Sequence, residues 1–277
     1  MTYETPILAG VVGSPIGHSK SPLIHGHWIR KYDLNGYYIP IEIRPENFES
    51  AIRSMPKLGF RGLNVTIPYK ETILSIATSI SDRASLIGAA NTIVFGPEGS
   101  IRADNTDGVG FIQNIRSQAP DWKGSNGPAV VLGAGGASRA IVSALLADGV
   151  PEVRLSNRTR HRAEMLKDQF GAKITVVDWT KASEAMDGAA MIVNTTSLGM
   201  YGNPPLKVKL NYAPNYALVT DIVYTPINTE LLEQAQSFGL RTVDGVGMLL
   251  HQAVPGFEYW YDVRPEVDDQ IRQIVLA

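Results

Sequence analysis

The hydrophobic positions change period along the chain. Short runs rich in Val, Ile and Tyr alternate with stretches in which apolar residues recur every three or four positions, the pattern of strands separated by helices in an α/β protein. The runs ILAGVV (7–12), YYIPIEI (37–43) and GLNVTI (62–67) read as strands. Between them one helix runs from Pro22 toward Asp33, and a second is opened by Pro45 and closed near Gly59. Shorter helical pieces reach to about Gly88. NTIVF and SIRAD then flank the turn GPEG as a hairpin, and a helix follows from about Thr106 to Gln118.

The turn-rich stretch APDWKGSNGP (119–128) marks a break in composition and the expected domain boundary. Beyond it the pattern reads as a buried strand, a glycine turn, a helix ended by Gly149 and a second strand finishing near Ser156. KITVV, AMIVN, ALVTDIV and LRTV add four more strands, which makes the six that a doubly wound dinucleotide-binding sheet needs. The last stretch, DGVGMLLHQAVPGFEYW, carries an apolar stripe of Val246, Leu249, Leu250, Ala253, Phe257 and Trp260, expected to return to the first domain, with Pro255 kinking or breaking the helix. The domain limits drawn are 1–110 completed by 245–277, and 111–244.

Composition narrows the function classes. A chain of 277 residues with 44% hydrophobic and 19% charged residues describes a soluble globular protein. Its net charge of -2 gives no electrostatic case for nucleic acid or an anionic membrane, so small-molecule partners are expected. The absence of cysteine excludes disulfides and thiolate metal sites. His25 and His27 face different directions on one helix and make no metal pair, and His18 reads as a structural hydrogen-bonding group. No basic leader or membrane-length apolar run is evident, and the cytoplasm is the default.

The glycine turn has a physical reading. Gly133 permits the tight turn, Gly135 lets backbone approach a pyrophosphate, and the helix beginning there offers unpaired N–H groups and a positive dipole end. Ser138 replaces the last glycine of the fingerprint, and a purely structural turn is the alternative. Asn157 stands where an NAD site usually has a carboxylate, followed by Arg158, Arg160 and Arg162, which favours the 2'-phosphate of NADP; an exposed basic turn is the alternative.

Three clues lie in the first domain. In HSKSPLIH, Ser21 before Pro22 makes an N-cap, which leaves Ser19 unexplained; two hydroxyls flanking Lys20 suit a carboxylate. In LNVTIPYKE, Lys70 begins a helix, where the dipole disfavours a cation, although a solvated lysine is the ordinary alternative. In ADNTDGVG, Asp107 serves chemistry or simply caps the helix.

Taken together, GSPIGHSKSP, NVTIPYKE, GAANTI, DNTDG, GAGGASRA, NRT, NTTSLGM, YTP and DGVGMLLHQA resemble, in order and wording, the shikimate dehydrogenase family. The resemblance implies an N-terminal α/β substrate domain with a mostly parallel sheet, a Rossmann-type NADP-binding domain, and an active site in the cleft between them. It implies reversible NADP-dependent reduction of 3-dehydroshikimate to shikimate, in aromatic amino-acid biosynthesis. Carried over by motif position, Ser19 and Ser21 take the substrate carboxylate; Asn64, Thr66, Asn91, Asp107, Tyr224 and Gln252 take the ring hydroxyls or nearby hydrogen bonds. Lys70 and Asp107 are the catalytic pair. Gly133, Ala134, Gly135, Gly136, Ala137, Asn157, Arg158, Thr159, Arg162, Thr195, Met200, Ile222, Gly245 and Met248 hold the cofactor.

The rival readings are a quinate or mixed quinate/shikimate enzyme using NAD, a non-catalytic ligand sensor, and a folate-linked NADP dehydrogenase of similar layout. The paired serines lean toward shikimate, the arginines toward NADP, and intact Lys70 and Asp107 against a sensor. Sequence does not set the oligomeric state, for which a homodimer is one candidate.

Overall fold

The structure is a computed structural model that describes residues 5–277. Two units form: residues up to Thr106 with Leu250–Ala277, and Asp107–Leu249.

In the first unit, β1 (Ile7–Gly13) lies between β2 (Gly36–Glu42) and β3 (Phe60–Val65), parallel to both. Helix α1 (Ser21–Lys31) and the segment holding α2 (Phe48–Ser54) return the chain between these parallel strands. The second expected helix is in fact three pieces, with single 3-10 stretches at Pro45–Asn47 and Met55–Leu58 on either side of α2. Strand β3 stops at Val65, short of the expected end, because the Thr66 carbonyl accepts from Tyr69 N–H at 2.9 Å and turns the chain. Short elements α3 (Ile73–Ile76), β4 (Ser79–Ile80) and α4 (Asp82–Ile87) precede the hairpin of β5 (Thr92–Phe95) and β6 (Ile101–Asp104). The sheet order is β2-β1-β3-β5-β6-β4; β3 and β5 are antiparallel, and β4 and β6 parallel. Phe48, Ile52, Leu63, Val65, Ile93 and Ile101 fill one core of this unit.

The second unit opens with α5 (Asp107–Gln118). Its sheet is wholly parallel: β7 (Ala129–Leu132), β8 (Val153–Ser156), β9 (Ile174–Val177), β10 (Met191–Asn194), β11 (Leu218–Asp221) and β12 (Arg241–Val243), in the order β12-β11-β10-β7-β8-β9. This is the doubly wound order with its switch point between β10 and β7. The continuous apolar runs follow from burial on both faces. In β7, Ala129 and Val131 join one cluster with Ile115, Ile141 and Leu145, whereas Val130 and Leu132 join another with Ile192, Val219 and Leu232. Helices α6 (Gly136–Ala147), α7 (Arg160–Phe170) and α8 (Glu230–Ser237) complete the unit.

Two boundary expectations need correction. The stretch 119–128 is a connection inside the second unit, leading from α5 to β7. The unit limits fall at Thr106/Asp107 and Leu249/Leu250 in place of 110/111 and 244/245. All of α5 goes with the second unit because it lies against α6 so closely that a Cβ on Gly108 would come within 2.8 Å of the Ala140 carbonyl.

Helix α9 (Val246–Tyr261) continues through Pro255 and is not broken there. Proline inside a helix costs about 3 kcal/mol. Phe257 and Trp260 beyond it are fully buried, and burying such side chains contributes about 1.5–3 kcal/mol each. Trp260 Nε1 also donates to the Ile93 carbonyl at 3.0 Å. Helix α10 (Asp269–Leu276), absent from the sequence reading, is capped by Asp268 accepting from Ile271 N–H at 2.9 Å.

Candidate active site

Helix α1 begins at Ser21 with Lys20 in the N-cap position and no side-chain cap; one residue earlier, Ser19 Oγ accepts the Ser21 N–H at 3.3 Å. Ser21 is thus the first helical residue and not the expected N-cap. Ser21 is buried. Ser19 is half-buried, and its O–H remains a donor because accepting the Ser21 N–H uses only an oxygen lone pair. His18 is exposed. His25 is fully buried, its ring stacked on Tyr38 at 4.0 Å with an interplanar angle of 6°. Burial drives its pKa down to about 3, against a small opposing influence of the nearby Asn64, with which it makes no hydrogen bond. A neutral imidazole in an aromatic nest is a structural group.

The end of β3 and the two Asn-Thr pairs of β5 and β6 build a buried polar network. Asn64 Nδ2 donates to the Asn91 carbonyl and to Thr92 Oγ1, both at 3.2 Å, while its Oδ1 accepts from the Tyr38 phenol at 2.6 Å. Asn91 Nδ2 donates to Thr106 Oγ1 at 2.9 Å and to Gln252 Oε1 at 3.2 Å. Asn91 Oδ1 accepts from Thr106 N–H at 2.9 Å, and Thr106 Oγ1 donates to the Gln252 carbonyl at 2.8 Å. Three expected site residues, Asn64, Asn91 and Gln252, are thus joined through Thr92 and Thr106, which the sequence reading quoted but did not assign.

Thr66 and Lys70 follow Asn64 on the turn after β3, both half-buried. Lys70 sits in this turn, ahead of α3, so the expected conflict with a helix dipole does not arise. Its carbonyl accepts from Ala90 N–H at 2.7 Å, which ties the turn to the residue preceding Asn91.

The first aspartate of DNTDG is structural. Asp104, 2% exposed, accepts from Ser81 Oγ and Arg83 Nε at 2.6 Å, from a second guanidinium nitrogen of Arg83, and from the Tyr259 phenol at 3.2 Å. Burial alone would raise its pKa, but Arg83 and Ser81 outweigh that and hold it at about 2. Asp107, buried, is the first residue of α5, where the helix dipole favours a carboxylate.

In the second unit, Gly133 has φ of 112°, and a Cβ there would stand 2.7 Å from Thr195 Oγ1. Thr195 Oγ1 donates to the Leu132 carbonyl at 2.8 Å. Ser138 is fully buried and donates to the Gly133 carbonyl at 2.6 Å, so the missing glycine is replaced by a strut that braces the turn from inside. The outer side is bare: nothing lies within 4 Å of a Cβ built on Gly135 or Gly136, and no side chain caps α6. An uncapped helix start under two exposed glycines fits a pyrophosphate. Asn157 Oδ1 accepts Ala134 N–H at 3.1 Å, joining the end of β8 to the same turn. Arg160 is held by Glu164 at 2.9 Å and Asp178 at 2.5 Å, whereas Thr159, Arg158 and Arg162 are exposed.

Thr195, Met200, Ile222 and Tyr224 line one cavity of about 300 Å³. Gly245 brings α9 against its wall, since a Cβ there would lie 2.5 Å from the Ile222 carbonyl, and Met248 is buried in the cluster that Ile222 packs on. Asp221, at the end of β11, braces the cavity: it accepts from Asn194 Nδ2 at 2.9 Å, Val223 N–H at 3.0 Å and Thr229 Oγ1 at 2.7 Å, and burial raises its pKa to about 6. Neither Asn194 nor Asp221 entered the sequence reading, although both end β-strands in quoted motifs.

Comparison with known proteins decides the family. The shikimate dehydrogenase substrate binding domain matches residues 11–93, and the shikimate / quinate 5-dehydrogenase domain matches 116–237. A shikimate dehydrogenase (NADP(+)) of Cereibacter sphaeroides is 55% identical over 270 residues, 98% of this chain and 97% of the relative. This chain belongs to the shikimate dehydrogenase family. Among solved members, the Thermus thermophilus shikimate 5-dehydrogenase in complex with NADP(H) and shikimate superposes with a TM-score of 0.86 at 31% identity, covering 98% of this chain and 99% of that one. The quinate dehydrogenase of Corynebacterium glutamicum in complex with NAD gives 0.91 at 30% identity, covering 98% and 99%. The family's two-domain α/β architecture is the one described above.

Proposed function

We infer that this chain catalyses the NADP-dependent interconversion of shikimate and 3-dehydroshikimate, the activity its relatives are named for. In the geometry, the observation that carries this reading is the buried chain of Asn64, Asn91 and Gln252. Buried amides of this density are costly unless they are paired, and they offer the alternating donors and acceptors that a polyhydroxylated ring requires.

Ser19 and Ser21 bind the substrate carboxylate. Asn64, Thr66, Asn91, Asp107, Tyr224 and Gln252 contact or surround the ring hydroxyls. Bound NADP would supply the hydride acceptor for oxidation of the alcohol carbon, and NADPH the hydride donor for reduction of the ketone. As the alcohol is oxidised, neutral Lys70 Nζ takes the hydroxyl proton; in reduction its ammonium form stabilises the negative charge growing on the carbonyl oxygen and delivers the proton. Asp107 orients the lysine and accepts from an adjacent hydroxyl. The start of α6, with Gly133, Ala134, Gly135, Gly136 and Ala137, receives the pyrophosphate; Asn157, Arg158, Thr159 and Arg162 receive the 2'-phosphorylated ribose. Thr195, Met200, Ile222, Gly245 and Met248 surround the nicotinamide.

Among the described residues no helix is long and apolar enough to cross a membrane. A cytoplasmic location and a homodimeric assembly complete the proposal; light scattering reads the assembly. The reaction is tested by incubating the protein with shikimate and NADP and identifying the product by NMR: 3-dehydroshikimate is expected, and unchanged shikimate refutes the assignment.

A further inference from the structure

Tyr38 is a site residue that no motif marks. On β2 its neighbours Tyr37 and Ile39 point to solvent, 59% and 44% exposed, whereas Tyr38 is turned inward at 7%. Its ring stacks on the imidazole of His25 at 4.0 Å and lies beside the tilted indole of Trp260, at 6.0 Å, in a triangle closed by the 5.6 Å between His25 and Trp260. Its phenol donates the 2.6 Å hydrogen bond to Asn64 Oδ1. Burial pushes the phenol's pKa well above its ordinary value, with the Ser21 hydroxyl acting in the opposite direction on the same oxygen. The group therefore stays a donor throughout the working pH range.

Counting the hydrogen-bonding capacity of Asn64 shows what this does. A carboxamide has two donor hydrogens and two acceptor lone pairs. Both hydrogens go to protein acceptors, the Asn91 carbonyl and Thr92 Oγ1, and one lone pair goes to Tyr38. The one capacity left is a lone pair on Oδ1, so Asn64 faces a ligand only as an acceptor. The Asn91 carbonyl, which can only accept, requires the NH2 group on its side, and the phenol adds the matching requirement for the oxygen on the other, so both bonds oppose the flipped form, which would present a donor.

We propose that Tyr38 is a positioning residue that, together with the Asn91 carbonyl, holds the Asn64 amide as a hydrogen-bond acceptor for a ring hydroxyl. The consequence is specificity for a hydroxyl at that position over a keto or deoxy group. This rests on the shikimate reading of Asn64.

Tyr38→Phe keeps the ring stacked on His25 and removes only the hydroxyl. The expected result is a rise of about tenfold in KM for shikimate, from one lost buried hydrogen bond, with kcat within about twofold and KM for NADP unchanged. In an Asn64→Ala background the same substitution adds nothing, because the group it positions is gone. An unchanged KM for shikimate with a lowered Tm assigns Tyr38 a merely structural role and overturns the proposal, as does full additivity with Asn64→Ala. Proton exchange at the Asn64 side-chain amide, followed by NMR, reads the lock independently of turnover: it is slow in the wild-type protein and speeds up in Tyr38→Phe. Equal exchange in both proteins overturns the proposal. Failure of the wild-type protein to oxidise shikimate would instead refute the reaction assigned above, and the exchange measurement would still decide on Tyr38.

Discussion

Adjacent glycines in the turn between β7 and α6 answer to different constraints, and substituting them one at a time separates folding from cofactor binding. Gly133→Ala places a methyl group at φ 112°, 2.7 Å from Thr195 Oγ1 and 2.9 Å from Thr196 Cγ2. The disfavoured conformation costs about 1–2 kcal/mol and the forced displacement of neighbours about 1–3 kcal/mol, together about 2–5 kcal/mol. For a unit of this size that lowers Tm by about 5–15 °C. Gly135→Ala differs on both counts: its φ of -95° suits any residue, and a Cβ there meets nothing within 4 Å. Stability should hold. The new methyl, however, occupies the bare face over the start of α6, where the pyrophosphate must touch backbone, so KM for NADP should rise at least about tenfold. Differential scanning fluorimetry and steady-state kinetics on the two variants give the answer. A Gly135→Ala protein with unaltered KM for NADP, or a Gly133→Ala protein with unaltered Tm, would refute the reasoning.

Other outcomes follow from single side chains. Lys70→Ala should lower kcat by about 10²–10⁴ with KM for shikimate changed far less, as expected when a general acid and base is removed; normal turnover would exclude it from the chemistry. The Asp104 carboxylate, held at about 2 against 3.8, contributes stability that is present above pH 4 and lost as pH falls through the folded value, worth about 2 kcal/mol at most. The Tm difference between wild type and Arg83→Ala should therefore be largest near neutrality and shrink below about pH 4; a constant difference across that range would contradict the pairing. Replacing Arg158 and Arg162 together by Ala should raise KM for NADP about tenfold or more while leaving KM for NAD unchanged, since only the 2'-phosphate requires their charge. An equal rise for both cofactors would place the arginines elsewhere.

Much of this was visible in the chain. The strand-turn-helix-strand unit around Gly133 is legible because its local requirements, an apolar run, a left-handed turn and a helix start, all fall within a few residues. The β5-β6 hairpin is legible for the same reason. What escaped depends on contacts remote in sequence or on where a helix takes its first turn. Ser21 before Pro22 looks like a cap, and only the backbone start at Ser21 shows that Lys20 holds the N-cap position. Tyr38 is an ordinary inward strand residue until Asn64 meets it. Asp104 draws a partner, Tyr259, from the far end of the chain. Pro255 marks a helix break on local grounds, which the buried aromatic residues after it override. The first unit limit moved because all of α5 goes with α6, and the second falls within α9; turn composition reports neither.

The quinate dehydrogenase that superposes on this chain, solved with NAD, defines the sharpest contrast to the proposed activity. The most direct test is therefore the comparison of kcat/KM for purified protein across shikimate and quinate, each with NADP and with NAD. Shikimate with NADP is expected to exceed every other pair; a preference for quinate or for NAD, or no turnover with any pair, would contradict the proposed activity.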